Sequence, residues 1–161
     1  MAQYIRRWWK RELLLSYLVL VVWVIIFKYP LDELLLIAEN WRKDVVLEGL
    51  HTANFTFFRT IKMYIRYYDR LNSFENLVGN VAVFVPFGFM LPWAEEPFRK
   101  RWKVLLNAFV FVAGIEVFQL ISAFGVFDVD DILLNCLGAM LGYAFFQIWV
   151  KIRPGGYGGL G

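Results

Sequence analysis

Four apolar runs constrain this chain more than any other feature. Phe74–Trp93, Val104–Phe124 and Ile132–Val150 each approach the ~20 residues that a helix needs to cross a hydrocarbon core. Leu13–Phe27 is a fourth and shorter run, broken only by Ser16. Pro86 interrupts Phe74–Trp93, the second in chain order. With 60% of 161 residues hydrophobic, a soluble fold would lack the polar surface to cover itself. Arg6, Arg7, Lys10 and Arg11 precede the first run, as in a signal peptide. Lys28-Tyr29-Pro30 follows it in place of a small-residue cleavage site, so the run reads as a retained anchor. The expected class is all-α: a polytopic membrane protein with four transmembrane helices. It forms a single integral membrane domain over 1–161, with spans at about 12–28, 74–93, 104–124 and 131–150. An outer segment covers 29–73, and the glycine-rich tail 154–161 is expected to be disordered.

Charge orients these spans. The four basic residues before the first run, Arg99, Lys100, Arg101 and Lys103 in the second connection, and Lys151 and Arg153 after the fourth run share one side if there are four spans. The positive-inside rule makes that side cytoplasmic, with both termini. The outer segment and the short FDVDD turn then face outward. Net charge is only +3, so charge alone does not suggest nucleic acid.

The outer segment has its own pattern. Pro30 can open a helix on which Leu31, Leu34, Leu35, Ala38 and Trp41 recur at helical spacing. Further on, Phe58, Ile61, Ile65 and Tyr68 form one stripe, and Arg59, Lys62, Arg66 and Arg70 its neighbour. Such a helix can lie in the membrane interface, with Arg59, Lys62 and Arg66 as candidate lipid- or phosphate-binding residues. It can equally pack on the bundle with its basic face solvated.

Polar residues inside spans are costly and need a partner or a task. Asn76 and Asn80 share one face of the second span, and Glu116 and Gln119 share one face of the third. Asn107 falls on the opposite side from Glu116. In the fourth, Asp128, Asp131, Asn135, Gly138 and Gly142 are spaced three, four, three and four, one stripe of a continuous helix. Asp130 falls off that stripe and is expected to face solvent. The two glycines let another backbone approach. At ~1.5 Å per residue, Glu116 lies roughly 12 Å, and Asn80 about 9 Å, below the outer boundary. Together these residues predict an outward-facing polar pocket with Glu116 at its floor and the aspartates at its mouth.

A carboxylate in a poorly hydrated pocket has a raised pKa, so Glu116 is a candidate acid or base, with Asp131 or Asp128 as partner. The same three carboxylates offer oxygens to Mg²⁺ or Ca²⁺. They also fit structural roles. Asp128 and Asp131 can cap the fourth helix, and Glu116 can satisfy Asn80 and Asn135. No resident metal or cofactor is expected. Cys136, alone in an apolar run, reads as a packed residue, and the lone His51 gives no catalytic pattern. HExxH, P-loop, GxSxG and paired CxxC motifs are absent.

Three motifs in order, "NLVGNVAVFVPFGFMLP" (Asn76–Pro92), "EVFQ" (Glu116–Gln119) and "FDVDDILLNCLGAMLGY" (Phe127–Tyr143), resemble the VanZ-like family of bacterial membrane proteins. An upstream "NFTFFRTI" (Asn54–Ile61) resembles that family's short motif before the second span. The resemblance covers roughly Asn54 to Val150. Phe57 stands where many relatives carry proline, and Gly125-Val126 where many carry a basic residue. The resemblance implies a cell-membrane protein of Gram-positive type, associated with low-level resistance to teicoplanin and other lipid-tailed glycopeptides. It implies no mechanism.

Three functions fit. A binding or shielding protein would engage an outer-leaflet lipid, such as a lipid-linked peptidoglycan precursor, or the antibiotic's acyl tail; it is the favoured reading. Phosphates would meet Arg59, Lys62 and Arg66, and a sugar or amide would meet Asn80, Glu116, Gln119 and Asn135. An intramembrane enzyme would modify an envelope lipid or glycan with Glu116 as acid/base. A small proton-coupled lipid transporter would use Glu116 protonation, and four helices favour a homo-oligomer for that task.

Overall fold

The computed structural model describes residues 2–26, 30–68 and 73–152. Within these residues seven α-helices follow in chain order: α1 (Ala2–Ile26), α2 (Leu31–Glu39), α3 (Lys43–Thr52), α4 (Arg59–Arg66), α5 (Ser73–Ala94), α6 (Arg101–Ser122) and α7 (Val129–Ile152). A 3₁₀ turn, Glu96–Phe98, joins α5 to α6. Among the described residues no strand forms beyond one isolated bridge between Asn54 and Asp128.

Among the described residues three helices are long and apolar enough to cross a membrane: Glu75–Ala94 of α5, α6 and α7. The first sequence run lies in α1, whose early turns carry Arg6, Arg7, Lys10, Arg11 and Glu12. Its apolar part, Leu13–Ile26, rises only ~21 Å as a helix, short of a ~30 Å hydrocarbon core. The tail 154–161 and Arg70 lie outside the described residues.

Glycine sets the centre of the bundle. A Cβ on Gly138 would stand 2.0 Å from the Val81 carbonyl oxygen, and one on Gly142 would stand 1.9 Å from that of Val85. From the other side, a Cβ on Gly88 would meet the Ala139 oxygen at 1.8 Å. Helices α5 and α7 therefore touch backbone to backbone, the close approach that small residues permit in a membrane. Phe84, Val104, Val112 and Phe146 are fully buried around this seam. Leu137, Leu141, Phe145 and Ile148 of α7 are exposed on its other face, as lipid-facing residues would be.

Pro86 does not end α5, which runs on to Ala94. A proline deletes one backbone N–H and loosens the ladder around it. The Tyr17 hydroxyl of α1 enters that region, donating to the Val83 carbonyl and accepting from the Phe87 N–H. Helix α1 is thus fastened to α5. At the opposite end of the same contact Lys10 Nζ donates to the Trp93 carbonyl at 3.2 Å, Trp9 packs edge-on to Trp93, and Arg11 grips the Glu95 carboxylate with two nitrogens.

The segment between α1 and α5 differs from its sequence reading. The helix opened by Pro30 stops at Glu39, and Trp41 lies beyond it, its indole N–H donating to the Ile121 carbonyl at 2.8 Å. Of the apolar stripe before it, only Leu34 is buried. Helix α3 packs on the end of α6, with Gly49 against Leu120. The aromatic stripe runs past both ends of its helix. Phe58 precedes α4 in the left-handed conformation (φ 64°), and Phe58, Ile65 and Tyr68 are exposed while Ile61 is half-buried. A helix of eight residues is too short to carry the whole stripe.

Candidate functional site

The site is built where α4, the starts of α5 and α7 and the end of α6 meet. The backbone of Asn54 pairs with the strand-like lead into α7: its N–H donates to the Phe127 carbonyl at 2.8 Å and its carbonyl accepts from Val129 at 3.0 Å. The Phe55 and Phe127 rings pack at a tilt beside this bridge, centroids 5.1 Å apart. The two motifs "NFTFFRTI" and "FDVDD" therefore form one structural unit.

Three successive acidic positions then do three different things. Asp128 is buried: Oδ1 accepts from Asn54 Nδ2 and from the Asp130 N–H, both at 2.8 Å, and Oδ2 accepts from the Thr60 hydroxyl at 2.5 Å. It caps α7 and holds the α4 unit at once. Asp130 is fully buried, which corrects the expectation that it faces solvent. Its carboxylate accepts the backbone N–H groups of Phe58 (2.5 Å), Thr60 (2.8 Å) and Ile61 (3.2 Å). Those groups belong to the entry and first turn of α4, where backbone donors have no intrahelical partner and an anion is favoured. Asp131 alone turns inward, accepting from Asn80 Nδ2 at 2.6 Å.

Below this cap lies a cavity of about 280 Å³. Asn76, Gly79, Asn80 and Glu75 line it from α5, Glu116 and Gln119 from α6, Asp131 and Asn135 from α7, and Tyr64 from α4. The structure thus brings together Asn76, Asn80, Glu116, Gln119, Asp131 and Asn135 around one space. It leaves Asp128 out, since that carboxylate is spent on the cap. Glu116 and Gln119 are buried. Glu116 Oε2 accepts the Asp128 backbone N–H at 2.9 Å, tying the cavity floor to the α7 start. Asn80 goes to Asp131 and Asn135 Nδ2 to its own helix, at the Asp131 carbonyl, 2.7 Å. Both asparagines thus bond to Asp131, Asn80 through its carboxylate and Asn135 through its carbonyl.

Arg59, Lys62 and Arg66 are exposed on α4 and do not line the cavity. Among the described residues no group of three His, Cys, Asp or Glu side chains could hold a metal ion. Cys136 is half-buried among core residues, and His51 is exposed on α3. Asn107 donates to the Lys103 carbonyl of its own helix.

Tyr64, Glu75, Asn54 and Thr60 are site or support residues that sequence reading missed. Burial pushes the Tyr64 phenol up from its ordinary pKa, and the nearby Asp131 and Asp128 charges push the same way, against a hydrogen bond with Asn76. The phenol therefore stays protonated as a donor over the cavity. Its spacing of four from Thr60 was the available signal, because the two share a face of α4.

Chemically, the cavity offers carboxylates and carboxamides with one phenol, a set rich in acceptors for hydroxyl or N–H groups. The family described as VanZ/LLP1 matches residues 14–150. A protein of Enterococcus faecium described as "Protein VanZ" is 28% identical over 140 residues, covering 86% of this chain and 73% of that protein. No solved structure gives a significant match.

Proposed function

The chain belongs to the VanZ/LLP1 family, and from that premise we propose that it engages an outer-leaflet envelope lipid, or a lipid-tailed antibiotic, in the polar cavity. The family and the three apolar helices mark a membrane protein. Beyond that, our reading is a multi-pass protein of a Gram-positive-type cell membrane, with α1 as a fourth span, both termini cytoplasmic and the cavity outward. Its physiological role is then in low-level resistance to teicoplanin and related lipoglycopeptides. Ligands of that kind are presented at the outer face, where this orientation puts the cavity.

The observation that carries the reading is the convergence of polar side chains from α5, α6 and α7 on one cavity inside an apolar bundle. These groups hydrogen-bond within the bundle, Asn80 to Asp131 and the Asp128 N–H to Glu116, and still leave a face towards open space. Here they border about 280 Å³ of space, with Tyr64 held above them. Arg59, Lys62 and Arg66, exposed on the adjoining α4, are proposed to meet phosphates at the membrane surface.

Native mass spectrometry of the protein extracted from its own membrane tests this. A lipid retained by the parent and lost on Asn80→Leu supports the reading; a parent that emerges free of lipid sinks it. Glu116→Gln separates binding from acid/base chemistry, because glutamine keeps an acceptor for the Asp128 N–H and loses ionisation. In a cellular resistance assay, with surface expression checked, a binding protein keeps its effect. Loss of the effect would instead favour the intramembrane enzyme.

A further inference from the structure

We infer that the cavity is loaded sideways from the membrane through a cleft between α1 and α6, and that its ligand is a lipid whose acyl chain remains in that cleft. This rests on the cavity reading above and adds the route and the chain-binding site.

Helix α1 leans along α5, to which it is fastened by Tyr17, Lys10 and Arg11, and not along α6. The separation leaves a second space of about 440 Å³, lined by Val22 and Ile25 of α1 and by Val110, Gly114, Ile115 and Phe118 of α6. Its wall is almost wholly apolar. Two residues, Ile25 and Ile115, line both this cleft and the polar cavity. One side of the shared wall therefore faces carboxylates and carboxamides, and the other faces hydrocarbon.

That juxtaposition suits one amphiphile better than two separate ligands. A headgroup crossing the Ile25–Ile115 wall meets acceptors from three helices, so it should carry hydroxyl or N–H donors. Its chain would lie where α6 has no side chain: a Cβ built on Gly114 meets no heavy atom within 4 Å. A glycine on a helix face with nothing opposite it costs helix stability, and here it widens the cleft. An aqueous route is less suited, because α4 is pinned over the top of the cavity by Asp128 and Asp130.

The test uses the full chain in phosphatidylcholine vesicles with an alkyl glucoside carrying a diazirine in its chain. Crosslinked positions are read by peptide mass spectrometry. Labelling should concentrate on Val22, Ile25 and Gly114–Phe118, above the background at lipid-facing Leu141 and Phe145. It should be displaced by excess unlabelled alkyl glucoside and much less by an alkyl sulfate of the same chain length. Gly114→Phe, which fills the cleft, should reduce labelling there to background, and so should Gly79→Leu, which fills the polar cavity from α5. Neither added Cβ meets a neighbour, and matching thermal melts would confirm folding. Labelling abolished by Gly79→Leu but untouched by Gly114→Phe would overturn the cleft while leaving the cavity reading in place. Labelling that no competitor displaces and neither variant changes would overturn both. Crosslinks joining two copies through the cleft would assign it to a second chain instead, and equal displacement by the sulfate would overturn the donor-rich headgroup.

Discussion

Asp130 Oδ2 accepts the backbone N–H of Thr60 at 2.8 Å, across 70 residues of chain. This carboxylate, buried at the start of α7, serves as the N-terminal cap of a different helix. It also holds Phe58 in a left-handed conformation, a backbone state that costs a bulky residue about 1–3 kcal/mol. The basic helix α4 and the Tyr64 phenol above the cavity both depend on that anchor.

Replacing Asp130 by Asn should therefore release α4. The amide would turn donors towards N–H groups that need an acceptor, and hydrogen bonds to a charged group contribute roughly 1.5–3 kcal/mol each. We expect a loss of at least about 2 kcal/mol in unfolding experiments in detergent. Hydrogen exchange should quicken over 58–66 and stay slow in α6. Unchanged exchange over that stretch would show that the anchor is dispensable.

The seam between α5 and α7 makes opposite predictions for two glycines. Gly138→Ala drives a Cβ against the Val81 carbonyl and should destabilise by about 1–3 kcal/mol or abolish assembly. Gly79→Ala meets nothing and should be neutral or stabilising by up to ~1 kcal/mol through helix propensity. Thermal denaturation of both variants in one detergent decides it.

Tyr64 gives a pH signature. Its folded pKa is raised, so the folded protein holds the phenolic proton more tightly than the unfolded chain. That contribution is full below the unfolded value of ~10 and is lost as pH rises through the folded value. Stability of the parent should fall more steeply above about pH 10 than that of Tyr64→Phe, with the two curves parallel near neutrality. Parallel curves throughout the alkaline limb would contradict the burial of this phenol.

Topology is testable with single cysteines in a Cys136→Ala background. A thiol at Arg101 should react only after the cell membrane is permeabilised. One at His51, exposed on α3, should react in intact cells. The same side for both would remove the outward cavity.

Periodicity carried a large part of this protein. Apolar runs located α5, α6 and α7 to within a few residues, because a membrane span must satisfy its backbone internally and so declares itself by length. The family resembled over Asn54–Val150 is the one that matches, and its match reaches further back, over residues 14–150. Spacing of three and four put Asn76 with Asn80, Glu116 with Gln119 and Asp131 with Asn135, and each pair lines the cavity. The same spacing placed Gly138 and Gly142 on the face that meets α5.

Tertiary structure decided what each carboxylate of FDVDD is for. Helical spacing tells which residues share a face, and it put Asp130 on the face expected to meet water. It carries no information about a backbone that arrives from elsewhere in the chain. The entry to α4 brings three N–H groups to Asp130, and Asn54 and Thr60 take up Asp128, so only Asp131 reaches the cavity. Backbone donors look the same in every sequence, and only the fold shows where they are brought.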